Sequence, residues 1–129
     1  MTSLRDLQPN LAALHTIEPQ TLTAAHDGAS VDTRGYQSAM LVIATGEIAG
    51  AGDFGFTAQE SDDGVAWTDV DTDDLVGTVP ATLAATSVYR VGYRGYKRYL
   101  RGRLSYVGGT SIGAACIVIL GNPDQRPVA

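Results

Sequence analysis

A chain of 129 residues is the size of one ordinary domain, and 44% hydrophobic with 18% charged residues excludes a disordered polymer. A net charge of −5 disfavours general nucleic-acid binding, which depends on Lys and Arg at phosphates. One cysteine excludes an intrachain disulfide and a multi-thiolate metal centre. No apolar run is long enough to span a bilayer, so no membrane partner is expected.

Residues 1–19 place Leu4, Leu7, Leu11 and Leu14 at a spacing that allows a turn or two of amphipathic helix, interrupted by Pro9. This predicts an N-terminal arm able to pack on a neighbouring subunit; a loosely ordered terminus is the alternative. Its first nine residues are polar and mixed in charge, unlike a secretory leader, which predicts synthesis in a reducing cytoplasm. From residue 20 the pattern becomes that of strands. Segments 21–25 and 30–33 flank Asp27-Gly28, which predicts a tight hairpin. Segment 36–45 is apolar on both alternate sets (Met40, Val42, Ala44 and Ala39, Leu41, Ile43), which predicts a central strand covered on both faces. Glycines at 46, 50 and 52 mark a turn. Segments 54–60 and 65–70 read as a hairpin around Ser61-Asp62-Asp63-Gly64, with Trp67 near a sheet edge.

Residues 71–86 read as a loop that crosses from one sheet to the other. Segment 87–94 alternates cleanly, Gly95-Tyr96 marks a bend, and 97–107 is a long strand. Gly108-Gly109 predicts a hairpin turn into an apolar closing strand, 111–121, where Cys116 packs like Ala or Val. Residues 122–129 hold two prolines, Pro123 and Pro127, and predict an extended tail. The expectation is all-β: a single antiparallel β-sandwich or barrel of about eight strands over 20–121, with an N-terminal arm over 1–19 and a C-terminal tail over 122–129.

Two patterns match enzyme fingerprints only in letters. Gly50-Ala51-Gly52-Asp53-Phe54-Gly55 fits G-x-G-x-x-G, but a dinucleotide site needs a helix after the loop, and here a strand follows with Asp53 repelling phosphate. Gly109-Thr110-Ser111-Ile112-Gly113 fits G-x-S-x-G, but a nucleophile elbow also leads into a helix, and the two histidines, His15 and His26, lie far upstream. Asp69, Asp71, Asp73 and Asp74 have a spacing that can present oxygens to calcium, although Asp74 and Pro80 stand where an EF-hand loop needs Gly and Glu. A solvated acidic loop is the alternative. No catalytic residue, cofactor or metal site is assigned, and the chain reads as a binding protein, not an enzyme.

Charge is unevenly placed. Arg90, Arg94, Lys97, Arg98, Arg101 and Arg103 are six of the nine basic residues, while Asp53, Glu60, Asp62, Asp63, Asp69, Asp71, Asp73 and Asp74 are eight of the fourteen acids. Two readings stand: contact with copies of itself or a charged protein lattice, or internal pairing between neighbouring strands. Five tyrosines (Tyr89, Tyr93, Tyr96, Tyr99, Tyr106) interleave with the basic residues, and Tyr and Arg are enriched at protein interfaces. The same pair can stack on sugars or bases. The candidate interaction residues are Tyr93, Arg94, Tyr96, Lys97, Arg98 and Arg101 on a hairpin, with Leu4, Leu7, Leu11 and Leu14 on the arm.

The run from Phe56 to Val70, containing Ser61-Asp62-Asp63-Gly64-Val65-Ala66-Trp67, resembles a stretch of small β-rich virion proteins of tailed bacteriophages and prophages. So does Val91-Gly92-Tyr93-Arg94-Gly95-Tyr96-Lys97-Arg98-Tyr99-Leu100-Arg101, with the closing Leu120-Gly121-Asn122-Pro123 and Arg126-Pro127-Val128. The resemblance is one of turns and strands from about residue 17 onward and includes no active-site motif. It implies a structural part of a virion made in the host cytoplasm. A capsid decoration (cement) protein on the outer shell comes first, with the major capsid protein and itself, as a homotrimer, for partners. The alternatives are a neck or tail component and a carbohydrate-binding β-sandwich using Trp67 or the tyrosines.

Overall fold

The structure, a computed structural model, describes residues 8–124. After a 3-10 turn at Gln8–Asn10, ten strands follow: β1 Ala12–Leu22, β2 His26–Asp27, β3 Val31–Asp32, β4 Tyr36–Ala49, β5 Asp53–Ser61, β6 Thr68–Asp69, β7 Leu75–Val76, β8 Val88–Tyr93, β9 Tyr99–Gly108 and β10 Ser111–Pro123. They form two antiparallel sheets facing each other as a sandwich, with no closed barrel. The first sheet runs β1-β10-β4-β8-β7. The second runs β2-β9-β5-β6, with β3 also on β9.

The frame is one long ribbon folded over itself. β4 pairs with β10 from Tyr36↔Pro123 to Ala49↔Ser111, and β5 continues the pairing with β9 from Asp53↔Gly108 to Ser61↔Tyr99. Both strands of the ribbon therefore change sheet at the same corner. Gly109 (φ 84) turns there, and a Cβ on it would collide with the backbone of Ala51, itself at φ 55. The expected hairpin at Gly108-Gly109 is thus a corner, because β9 and β10 lie in different sheets. The segment between Tyr93 and Tyr99 likewise crosses from β8 in the first sheet to β9 in the second. Local glycines mark where the chain turns; only sheet packing decides whether it turns within a sheet or between two.

Alternation builds the core. Leu41, Ile43, Phe54, Leu100, Leu104, Ile112, Val118 and Leu120 are fully buried between the sheets. Cys116 is among them, and burial pushes its thiol up to about 12. At the β1 side the Thr16 hydroxyl donates to the Ala29 carbonyl (2.7 Å) and accepts from the Gly102 N–H (3.0 Å), linking the two sheets. The Gly28 N–H donates to the Gly102 carbonyl (2.8 Å) at the same place, where a Cβ on Gly28 would collide with Thr16.

Several expected boundaries move. Residues 12–19, expected in the arm, belong to β1, which pairs with β10 through two register shifts around Ile17. The apolar-alternating signal was blurred there by those bulges and by Pro19. Residues around Asp27-Gly28 form two short strands on β9 in place of a hairpin. Of the expected 65–70 strand, Thr68–Asp69 pairs with β5 and the Val70 N–H donates to the Ala58 carbonyl (2.9 Å), while 65–67 form no strand. The crossing between sheets within residues 71–86 is as expected, since β6 lies in the second sheet and β7 in the first.

Candidate functional site

The basic and aromatic segment is largely consumed by internal contacts. Arg98 makes a two-pronged contact with Asp32 (Nε to Oδ1 2.9 Å, Nη2 to Oδ2 2.7 Å), which holds the Asp32 carboxyl below its usual range. Lys97 Nζ lies 3.1 Å from Asp62 Oδ2, and Arg103 Nε 2.6 Å from Asp27 Oδ1. Arg101 donates to Gln59 (2.8 Å) and lies 4.3 Å from the centroid of the Trp67 ring. β9 lies between β5 and β2–β3, so Arg101 and Arg103 on it reach Gln59 and Asp27 on the strands to either side, and Lys97 and Arg98 just before it reach Asp62 and Asp32. The basic run thus pairs internally, but mostly with Asp27 and Asp32; among the described residues only Lys97–Asp62 joins it to the acids of 53–74.

Tyr93 faces the interior. Its hydroxyl donates to the buried Glu60 Oε1 at 2.6 Å and accepts from the Lys97 N–H at 3.2 Å. Burial, then the bond to Glu60, drives the phenol pKa up. Tyr96 is 91% exposed, and Arg94 is exposed just beyond β8. Of the arm leucines, Leu14 sits on edge strand β1, 47% exposed, and Leu11 is half-buried before it; Leu4 and Leu7 lie outside the described residues. Among the described residues, Leu11 and Leu14 do not share a surface with the basic segment. Leu11 packs at Gly121 on β10, whereas Lys97, Arg98 and Arg101 bond towards the second sheet.

A different surface emerges on the outer side of the first sheet. Register aligns Ala13, Ile119, Met40 and Gly92 in one row, His15, Ile117, Val42 and Arg90 in the next, and Ala115, Ala44 and Val88 in a third. These positions alternate with the buried Leu41, Ile43, Val118 and Cys116, so they point away from the core. Met40, Val42, Ile117 and Ile119 are half-buried, while Val88 is 71% exposed. Both alternate sets of β4 are apolar, as expected of a strand covered twice, yet among the described residues only the inner face is covered. These residues were missed as site residues because an apolar outward set reads as core. The signal lay in the sequence nonetheless: β4 and β10 are both apolar on both sets, which a two-layer sandwich cannot satisfy alone.

Among the described residues, cavities open at the surface in two places of note. One of about 540 Å³ lies between the sheets under the crossover, lined by Phe56, Ala58, Val70, Leu75, Val79 and Val91 among others. The other, about 270 Å³, is polar and lined by Tyr36, Gln37, Ser38, Tyr93, Tyr96 and Lys97 among others. In the second, Lys97, Gln37 and Tyr93 are already bonded to Asp62, Asp124 and Glu60. In the acidic loop, Asp69 accepts from Gln59 (3.0 Å) and Asp71 caps the 3-10 turn Thr72–Asp74 by accepting from the Asp73 N–H (3.1 Å). No group of three metal-ligating side chains forms among the described residues. Gly50 to Gly55 turns the corner into β5, and Ser111 is the buried first residue of β10, so both glycine motifs serve turns and strands.

No family model matches the chain, and no curated protein matches it. Among solved structures it is similar to a chain in the structure of infectious bursal disease virus Gx strain, at 15% identity and a TM-score of 0.43. The match covers 92% of this chain and 35% of that one, so this chain spans little more than a third of its length. A superposition that loose carries no functional argument.

Proposed function

We propose that this protein is a virion structural component, a capsid decoration (cement) protein that docks on an assembled shell through a protein–protein surface. One observation supports this reading above the others: a rigid sandwich presents an apolar outer sheet face that nothing among the described residues covers. Exposed contiguous apolar faces mark interaction sites, because water contact at such a face is relieved by a partner. The resemblance of residues 56–70 and 91–101 to small virion proteins of tailed phages supports the class of assembly. Repetition over a lattice would multiply a modest individual contact.

Cryo-electron microscopy of particles from the encoding phage tests the proposal. Density for this chain on the outer shell, at threefold or quasi-threefold positions, is the expected result. Density confined to the portal vertex or tail would move it to the neck or tail class. Absence from particles would overturn the virion reading, and glycan binding through Trp67 or the tyrosines becomes the next assay.

A further inference from the structure

The outer face of the first sheet is apolar in the middle and basic at one border. Arg90 stands in register with Val42, and Arg94 follows at the same alternation just beyond β8. Four other basic residues of that segment are tied to acids or amides, but the side chains of Arg90 and Arg94 enter none of the ion pairs among the described residues. On a chain of net charge −5, the rows at 115, 117 and 119, at 40, 42 and 44, and at 88, 90 and 92 hold no carboxylate; the exposed Glu47 lies beside Gly113 at the far end of the face, and Asp74 accepts from the Arg94 N–H (2.6 Å) through its backbone carbonyl.

From this juxtaposition we infer that the outer face of the first sheet is the docking surface, and that its occupant is an apolar protein surface of the shell bordered by carboxylates. The inference rests on the decoration reading and names the surface and partner chemistry within it. Met40, Val42, Ile117 and Ile119 fill the middle of the contact. Arg90 and Arg94 receive the partner's carboxylates, the group a guanidinium binds in a two-pronged fashion. Lys97, Arg98 and Arg101 are positioned by Asp62, Asp32 and Gln59, so they are not the docking groups.

The experiment adds purified full-length chain to particles that lack it and measures bound protein by co-sedimentation across a concentration and salt series. Two double variants, Val42→Ser with Ile117→Ser and Arg90→Glu with Arg94→Glu, are compared with wild type after circular dichroism and thermal midpoint establish that each is folded. Each double variant is expected to weaken binding about tenfold or more. Wild-type binding should weaken as salt rises, and the arginine variant should lose that dependence. Arg98→Glu, whose guanidinium is held by Asp32 on the second sheet, should bind as wild type does once shown to be folded. Folded double variants that bind like wild type would overturn the inference while leaving decoration intact. Self-association of the free wild type by light scattering, abolished by the serine variant, would overturn it in favour of a second copy. Wild type that does not bind particles would instead remove the decoration reading beneath it.

Discussion

The Thr16 hydroxyl serves two backbone groups at once, and the Tyr93 hydroxyl serves a carboxylate and a backbone N–H in the same way. Replacing Thr16 with Val keeps the shape but leaves the buried Gly102 N–H without its acceptor. The expected loss is about 1–3 kcal/mol by urea denaturation. Tyr93→Phe should cost a similar amount, on the order of 1–3 kcal/mol, because Glu60 stays buried without its donor. The Tyr93 pKa is raised on folding, so the native state holds its proton more tightly than the unfolded chain. That contribution is complete below the unfolded phenol value and is lost as pH rises through the folded one. Stability should therefore fall above pH ~10, by up to about 1.4 kcal/mol per pH unit from this group. Cys116, pushed up to about 12, adds a loss of the same sign from the unfolded thiol value upward. Denaturation at a series of alkaline pH values should show a shallower decline in Tyr93→Phe than in wild type.

At the scale of elements, the two ends of the ribbon corner depend on residues that tolerate positive φ. Gly109→Ala adds a methyl group that meets Ala51 and forces a left-handed conformation on a residue with a Cβ. It should destabilise the fold by about 1–3 kcal/mol in chemical denaturation. The corner was visible in the sequence as glycines, but its role was not, since a hairpin turn and a sheet-to-sheet corner call for the same residues. Segment 93–99 departs from the expected hairpin for a related reason. Its bend is local chemistry, whereas its passage from β8 in one sheet to β9 in the other is set by which face each strand buries. The candidate hairpin of docking groups then separates into a buried tyrosine, internally paired cations and the exposed Arg94 and Tyr96.

Across the whole molecule, the longest pairing joins residues far apart in the chain: Tyr36 meets Pro123, and β1 lies against β10. Closing such loops before their contacts form is slow, so refolding should occur in about milliseconds to seconds. Stopped-flow fluorescence of Trp67, the one tryptophan and a partner of the Arg101 guanidinium, should report it; microsecond refolding would contradict this topology.

What the sequence by itself determined was the class of fold and the inventory of strands. Period-two alternation and glycine turns are local properties, and β4, β5, β8, β9 and β10 are legible from them alone. It also contained the apolar character of both sides of β4 and β10. Tertiary structure alone decided how the strands divide between two sheets, which acids meet which arginines, and which apolar side remains uncovered. The reason is physical: alternation specifies that a strand has two faces, but only packing against a distant strand specifies which face is enclosed. The cations of residues 97–103 and the acids of residues 27–62 are separated in sequence and brought together by β9 lying between β5 and β2–β3. Arg90 and Arg94, whose side chains enter no ion pair among the described residues, stand at the border of the outer sheet face on which the proposed docking surface rests.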